Sequence, residues 1–241
     1  ASLGDEFERL FNSVFDNASD CMKIIRFLGK RHAGFRRDEI ARKTGINPNG
    51  DFTKMLKALI ASDFVTKYVP WGAANNEEYY KLSDCFCWFW LHFKEEKAIK
   101  ERYYWMHHMK ENEIASWRGV AFEEVCMQHI QQIKMALQIA GVASQESSLV
   151  VGGDDDTDGM QIDLLIDRAD DVVNVCEMKY TKSNYAITKS YAEKLQKRID
   201  KLEHAHPDKE FHLTIVTVNP IERNIHSDIV KSTVTAEALF K

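Results

Sequence analysis

The sequence predicts a two-module chain: a small α+β unit followed by an α/β domain built on a mixed central sheet. Three observations carry that reading. Charge is divided, with ten Lys/Arg against three Asp/Glu between Lys23 and Lys57, but 14 against 22 from Glu111 onward. Hydrophobic spacing between Ser19 and Leu82 runs helix, helix, helix, strand, strand. From Trp117 the order becomes helix, several strands, helix, strand, which is an α/β succession. The implied boundaries are 1–83 for the first module, 84–112 for a connecting aromatic helix and 113–241 for the second domain.

Phe7, Leu10, Phe11, Val14 and Phe15 recur at helical spacing, so an opening helix carries an aromatic stripe. It needs cover, from its own module or from a further segment. Met22, Ile25, Phe27 and Leu28 mark the next helix, ending near Gly34. Arg37 to Gly45 reads as a short helix closed by glycine. After a turn at Asn49-Gly50-Asp51, a third helix follows from Phe52, Met55, Leu56, Leu59 and Ile60. Phe64–Val69 and Glu78–Leu82 read as strands around a turn at Gly72–Asn76. This succession resembles a winged helix. The third helix would then enter a DNA major groove, with Asn49, Thr53, Lys54 and Lys57 as contacts and Lys67 on the wing. Two lysines beside Asp51 make a thin basic face, and a module that only mediates packing is the alternative.

Asp84 caps a helix that opens Cys85-Phe86-Cys87-Trp88-Phe89-Trp90, aromatic on nearly every side and so expected to be buried. Cys85 and Cys87 are too close for a usual metal clamp and read as core packing. A long helix is expected from Trp117 to about Ala140, then a strand at Ser147–Val151 and an acidic glycine-rich loop. The hairpin from Asp163 to Lys179 comes next, then a helix around Lys189–His204, a strand at Phe211–Val218 and a mixed tail.

No apolar run approaches the roughly 20 residues that span a bilayer, and residues 1–7 carry no secretory pattern. Five cysteines without a CxxC pair point to a reduced, cytoplasmic setting and away from zinc. No membrane partner is expected, and oligomeric state cannot be read from the chain.

The hairpin carries the chemistry. Side chains alternate along a strand, so Glu177 and Lys179 share one face while Met178 points away, and Asp163 lies on the neighbouring strand. The 117–140 helix adds a third carboxylate. Taking Cys126, Ile130, Ile133 and Leu137 as its apolar stripe puts Glu123 on the inward face and Glu124 with Gln128 and Gln131 on the polar face. A buried acid needs a partner, either a metal shared with Asp163 and Glu177 or a basic side chain. The bland alternative for Glu177 and Lys179 is a surface salt bridge on an edge strand.

Together, Gly119-Val120-Ala121-Phe122-Glu123, Gln161-Ile162-Asp163 and Glu177-Met178-Lys179 resemble the PD-(D/E)xK nuclease superfamily. The resemblance implies a restriction-endonuclease-like domain that hydrolyses DNA phosphodiesters. It also implies Mg²⁺ or Mn²⁺ held by Glu123, Asp163 and Glu177, with Lys179 orienting or activating the attacking water. Lys189, Lys194, Gln196, Lys197 and Arg198 offer phosphate contacts, Lys194 and Gln196 being candidates for an auxiliary residue, although an ordinary charged outer face is the reading to be preferred for this helix. With Glu6-Phe7, Glu39-Ile40-Ala41 and Tyr80–Phe86, the whole chain is similar to the C-terminal part of archaeal-type, AAA-like P-loop ATPases. An ATPase domain is therefore an implied partner, while no G-x-x-x-x-G-K-[ST] loop occurs here and ATP hydrolysis is not assigned to these residues.

Two rival expectations remain. One is a non-catalytic DNA- or protein-binding regulatory module of such an ATPase. The other is a winged-helix transcription regulator with a ligand-sensing domain. The run Asp154, Asp156, Asp158 and Gly159 fits the opening of a calcium loop, but Leu165 stands where the bidentate glutamate belongs, so a solvated loop is expected.

Overall fold

Aromatic side chains organise the first of two units, Ala1–Glu111 and Asn112–Lys241. The computed structural model describes residues 5–74, 77–96, 103–108, 112–151 and 160–241. The first unit contains α1 (Glu6–Val14), α2 (Ala18–Leu28), β1 (Phe35–Arg36), α3 (Arg37–Thr44), α4 (Gly50–Ala61), β2 (Val65–Tyr68) and β3 (Tyr79–Leu82). Then α5 (Cys85–Phe89) runs into a π-helical turn at Trp90–Glu96, and α6 spans Tyr104–His108. Phe7 and Phe11 are fully buried, with Phe7 4.9 Å from Trp90 and Phe11 5.1 Å from Phe64, ring centre to ring centre. The opening stripe is thus covered within its own unit, except for Val14, which is 47% exposed.

Local signals account for the helix ends. Gly45 closes α3 in the left-handed region at φ 71°, and the Asn49 side chain accepts from the N–H groups of Asp51 and Phe52 to cap α4. Asp84 caps α5 by accepting from Cys87 N–H at 2.7 Å. The aromatic helix is not buried all round. Cys87, Trp90 and Phe93 are buried while Cys85 is exposed, and Cys87 and Trp90 join the first unit's core.

The three-stranded antiparallel sheet has the order β1-β3-β2. At two residues, β1 is too short for an alternation pattern to reveal it. Its approach depends on Gly34, which adopts φ 76°, and a Cβ there would lie 2.3 Å from the Tyr80 carbonyl oxygen. Gly34→Ala should therefore cost at least about 2 kcal/mol, from left-handed strain plus a backbone clash. Chemical denaturation should show a lowered midpoint for the first unit; a wild-type midpoint would refute the close approach.

The second unit comprises α7 (Asn112–Gln128), α8 (Ile130–Ala136), β4 (Ser144–Val151), β5 (Met160–Arg168), β6 (Val172–Lys179), α9 (Lys189–Ala205), β7 (Glu210–Thr217) and β8 (Ser232–Thr235). Its sheet has the order β4-β5-β6-β7-β8, antiparallel from β4 to β6 and parallel from β6 to β8. A mixed five-stranded sheet, a separate antiparallel sheet and flanking helices make this an α+β chain.

The expected single helix over 117–140 is two helices. His129 Nδ1 bonds the Val125 carbonyl at 2.7 Å, and its backbone N–H turns to Cys126 O instead. A side chain that takes the i−4 carbonyl competes with the helix ladder, and α7 stops there. No described helix is long and apolar enough to cross a membrane.

Candidate active site

Strand β6 is the centre of the sheet, and every residue from Val173 to Met178 is buried. Cys176 and Met178 join Phe122 and Cys126 of α7 in one apolar cluster. On the opposite face, Glu177 reaches α9. Burial on both faces explains the near-continuous hydrophobic run of β6. It also removes the edge-strand salt bridge as a reading, because Glu177 is 6% exposed on a central strand.

The β5–β6 ladder runs from Asp167↔Val173 to Leu164↔Cys176 and stops. One step further, the register would set Asp163 opposite Glu177. There the Asp163 side chain replaces the missing backbone partner, its Oδ2 accepting from Met178 N–H at 2.9 Å. The strands thus part at the point where their two carboxylates stand side by side.

Both oxygens of Glu177 are engaged. Oε1 pairs with Lys179 Nζ at 2.7 Å and accepts from the Tyr191 hydroxyl, and Oε2 accepts from Arg198 Nη1 at 2.8 Å. Helix α9 supplies the last two through its register. Its buried stripe is Ala192, Leu195, Ile199 and Leu202, and Tyr191 and Arg198 border that stripe seven residues apart. Two turns separate them by about 10 Å, and a helical side chain leans toward its own N-terminus, so the longer arginine reaches back to the same carboxylate.

Among the expected site residues, Asp163, Glu177 and Lys179 lie together at the end of the β5–β6 ladder. Tyr191 was not anticipated, and Arg198 serves as a partner of Glu177. The available signal was a polar pair flanking the apolar stripe of α9. Lys194 and Gln196 are exposed instead, Gln196 donating along the helix to Asp200 at 2.8 Å.

Electrostatics reinforce the grouping. Burial, then the charges of Glu177 and Glu123, push the Asp163 carboxyl up to about 7. Burial alone would lower the Lys179 ammonium, but the Glu177 charge and hydrogen bond outweigh it and hold Lys179 above its usual range. Burial and Glu177 likewise raise the Tyr191 hydroxyl. The Glu123 charge thus reaches Asp163, but Glu123 is only half-buried on α7 and does not complete a three-acid cluster with Asp163 and Glu177.

Its neighbour departs from expectation: Glu124 is 2% exposed, not on a solvent face with Gln128. The stripe drawn through Ile130, Ile133 and Leu137 belongs beyond the break at His129, so it does not set the register of α7. The buried residues of α7 include Ile114, Phe122 and Cys126.

Among the described residues, no three His, Cys, Asp or Glu side chains gather closely enough to hold a metal ion. The chemistry of the set still suits a hard divalent cation, with oxygen donors and crowded negative charge at Asp163. The acidic loop with Asp154, Asp156 and Asp158 lies outside the described residues.

The expected nucleic-acid contacts of the first unit are largely committed within it. Asn49 caps α4, Thr53 accepts from Arg37 at 2.9 Å, Lys54 pairs with Asp51 at 3.1 Å and Lys67 with Glu78 at 2.7 Å. Lys57 is exposed on α4. Much of the basic run is balanced similarly, as in Arg31–Glu39, Arg36–Glu77 and Arg26–Glu95. Such exposed pairs are weak and exchangeable.

No protein-family model matches this chain, and no curated protein sequence matches it. Function is therefore read from the site itself.

Proposed function

We propose that the second unit hydrolyses DNA phosphodiester bonds with Mg²⁺ or Mn²⁺ at a PD-(D/E)xK-type site. The observation that carries this reading is Asp163 beside Glu177 where two strands part, with Lys179 on the Glu177 face and the Asp163 carboxyl raised by burial and by neighbouring negative charge. Strained acidity of this kind concentrates at functional sites. A bound divalent cation would lower the pKa of water and neutralise charge developing on the phosphate. Asp163 and Glu177 would offer it carboxylate oxygens, and waters and the substrate phosphate would complete its shell, as is usual for Mg²⁺. Lys179, held charged, would stabilise negative charge beside them.

The helix and strand order of the first unit supports a winged helix, with Lys54 and Lys67 able to exchange their acidic partners for phosphates and Lys57 exposed beside them. An AAA-like ATPase domain is proposed as partner on family resemblance alone. Five cysteines, none in a disulfide, suit a cytoplasmic setting.

One observation favours a second reading, a non-catalytic module that binds DNA or protein. Glu177 is fully satisfied by Lys179, Tyr191 and Arg198, as a structural ion network would be. A cleavage panel separates the two. With Mn²⁺ or Mg²⁺, wild type should cut at least one of supercoiled, linear, single-stranded or branched DNA, and Asp163→Ala and Lys179→Ala should abolish cutting. Wild type and variants behaving alike on all four would sink the enzyme.

A further inference from the structure

The two oxygens of Glu177 are held unequally. Oε1 has two partners, Lys179 and Tyr191, whereas Oε2 has Arg198. Resting on the metal-dependent reading above, we infer that Arg198 is a displaceable stand-in for the divalent cation. It occupies Glu177 Oε2 only while no ion is bound, and the Arg198–Glu177 pair and ion binding exclude one another.

The reason is electrostatic and steric together. An ion shared by Asp163 and Glu177 needs a lone pair from a carboxylate oxygen, and a guanidinium within hydrogen-bond distance both covers that oxygen and repels the ion. Releasing Arg198 uncovers Oε2, while Lys179 and Tyr191 on Oε1 keep the carboxylate aimed. Tyr191 is then a positioning residue. Release has somewhere to go, because Arg198 also lines a cavity of about 700 Å³ whose wall includes the carboxylates Glu193 and Asp200 as well as Lys194, Lys197 and Lys201. Without an ion, Arg198 offsets the buried charge of Glu177, which would otherwise be costly.

The test is Mn²⁺ titration of the full chain at pH 7.5, following free Mn²⁺ by electron paramagnetic resonance. Arg198→Met should bind Mn²⁺ about tenfold more tightly than wild type, a difference of about 1.4 kcal/mol. Arg198→Lys, which keeps the charge but loses the planar fork, should also bind more tightly, by less, and serves if the methionine variant does not fold. Tyr191→Phe should weaken binding. A purely structural Arg198 would instead give a lower melting temperature with Mn²⁺ affinity unchanged or reduced, and that result overturns the inference. Asp163→Asn separates the two levels. Wild-type binding that survives in this variant, or is absent from every variant, defeats the metal-dependent reading and the inference falls with it.

Discussion

Replacing Glu177 with alanine should lower the melting temperature of the second unit by on the order of 10 °C in metal-free buffer. Glu177 is the hub for Lys179, Tyr191 and Arg198 on a strand buried on both faces. Truncation leaves the Arg198 guanidinium, itself largely buried, without its carboxylate. Breaking a buried pair by removing one partner costs about 3–5 kcal/mol, far more than a surface pair contributes. Glu177→Gln keeps the shape and one acceptor, so its melting temperature should fall between those of wild type and the alanine variant. Calorimetry in EDTA at pH 7.5 reads this directly. An alanine variant that melts with wild type would mean that the network contributes nothing to the fold.

Asp163→Asn should do the opposite at alkaline pH, raising stability while abolishing the proposed cleavage. The native carboxyl titrates near 7, above the ordinary value of 3.8, because burial and the charges of Glu177 and Glu123 disfavour its ionised form. The native state therefore binds more protons than the unfolded state between these two values. Stability contributed by the protonated group is fully present below the ordinary value and is lost as pH rises toward 7. Above 7 the ionised carboxylate is a net cost, which asparagine removes while still accepting from Met178 N–H. The gain should be on the order of 2–4 kcal/mol at pH 8 and shrink to about 1 kcal/mol or less at pH 4.5. Melting curves at the two pH values check it. A gain of equal size at both, or none at pH 8, would contradict a carboxyl held protonated by burial and neighbouring charge.

Together the two variants describe a site whose carboxylates do different work. Glu177 stabilises the fold through cations, and ionised Asp163 opposes it through burial and repulsion. Proteins accept such opposition chiefly where function demands it.

Much of this arrangement was legible from period and turn chemistry. Alternation along Asp163–Lys179 placed Glu177 and Lys179 on one face, and the β5–β6 register set Asp163 beside them. Gly45 marked a helix end through its left-handed backbone, and Asn49 and Asp84 marked theirs through purely local bonds. What escaped was non-local or set by a single competing bond. Tyr191 meets Glu177 across 14 residues, and nothing in the spacing of α9 announces that its polar border faces β6. The break at His129 depends on one imidazole taking one carbonyl, and it misdirected the register argument that sent Glu124 to solvent. The basic run from Lys23 to Lys57 was real, but composition could not show how much of it was already paired with acids elsewhere in the first unit.

The central claim is hydrolysis at Asp163, Glu177 and Lys179, and the rate of Mn²⁺-dependent nicking of supercoiled DNA tests it most directly. Wild type should nick at least about a hundredfold faster than Lys179→Met, a variant that loses the ammonium but keeps much of the side chain's length. Melting curves should confirm that both proteins are folded. Equal rates in the two folded proteins, or no nicking by wild type, would contradict the claim.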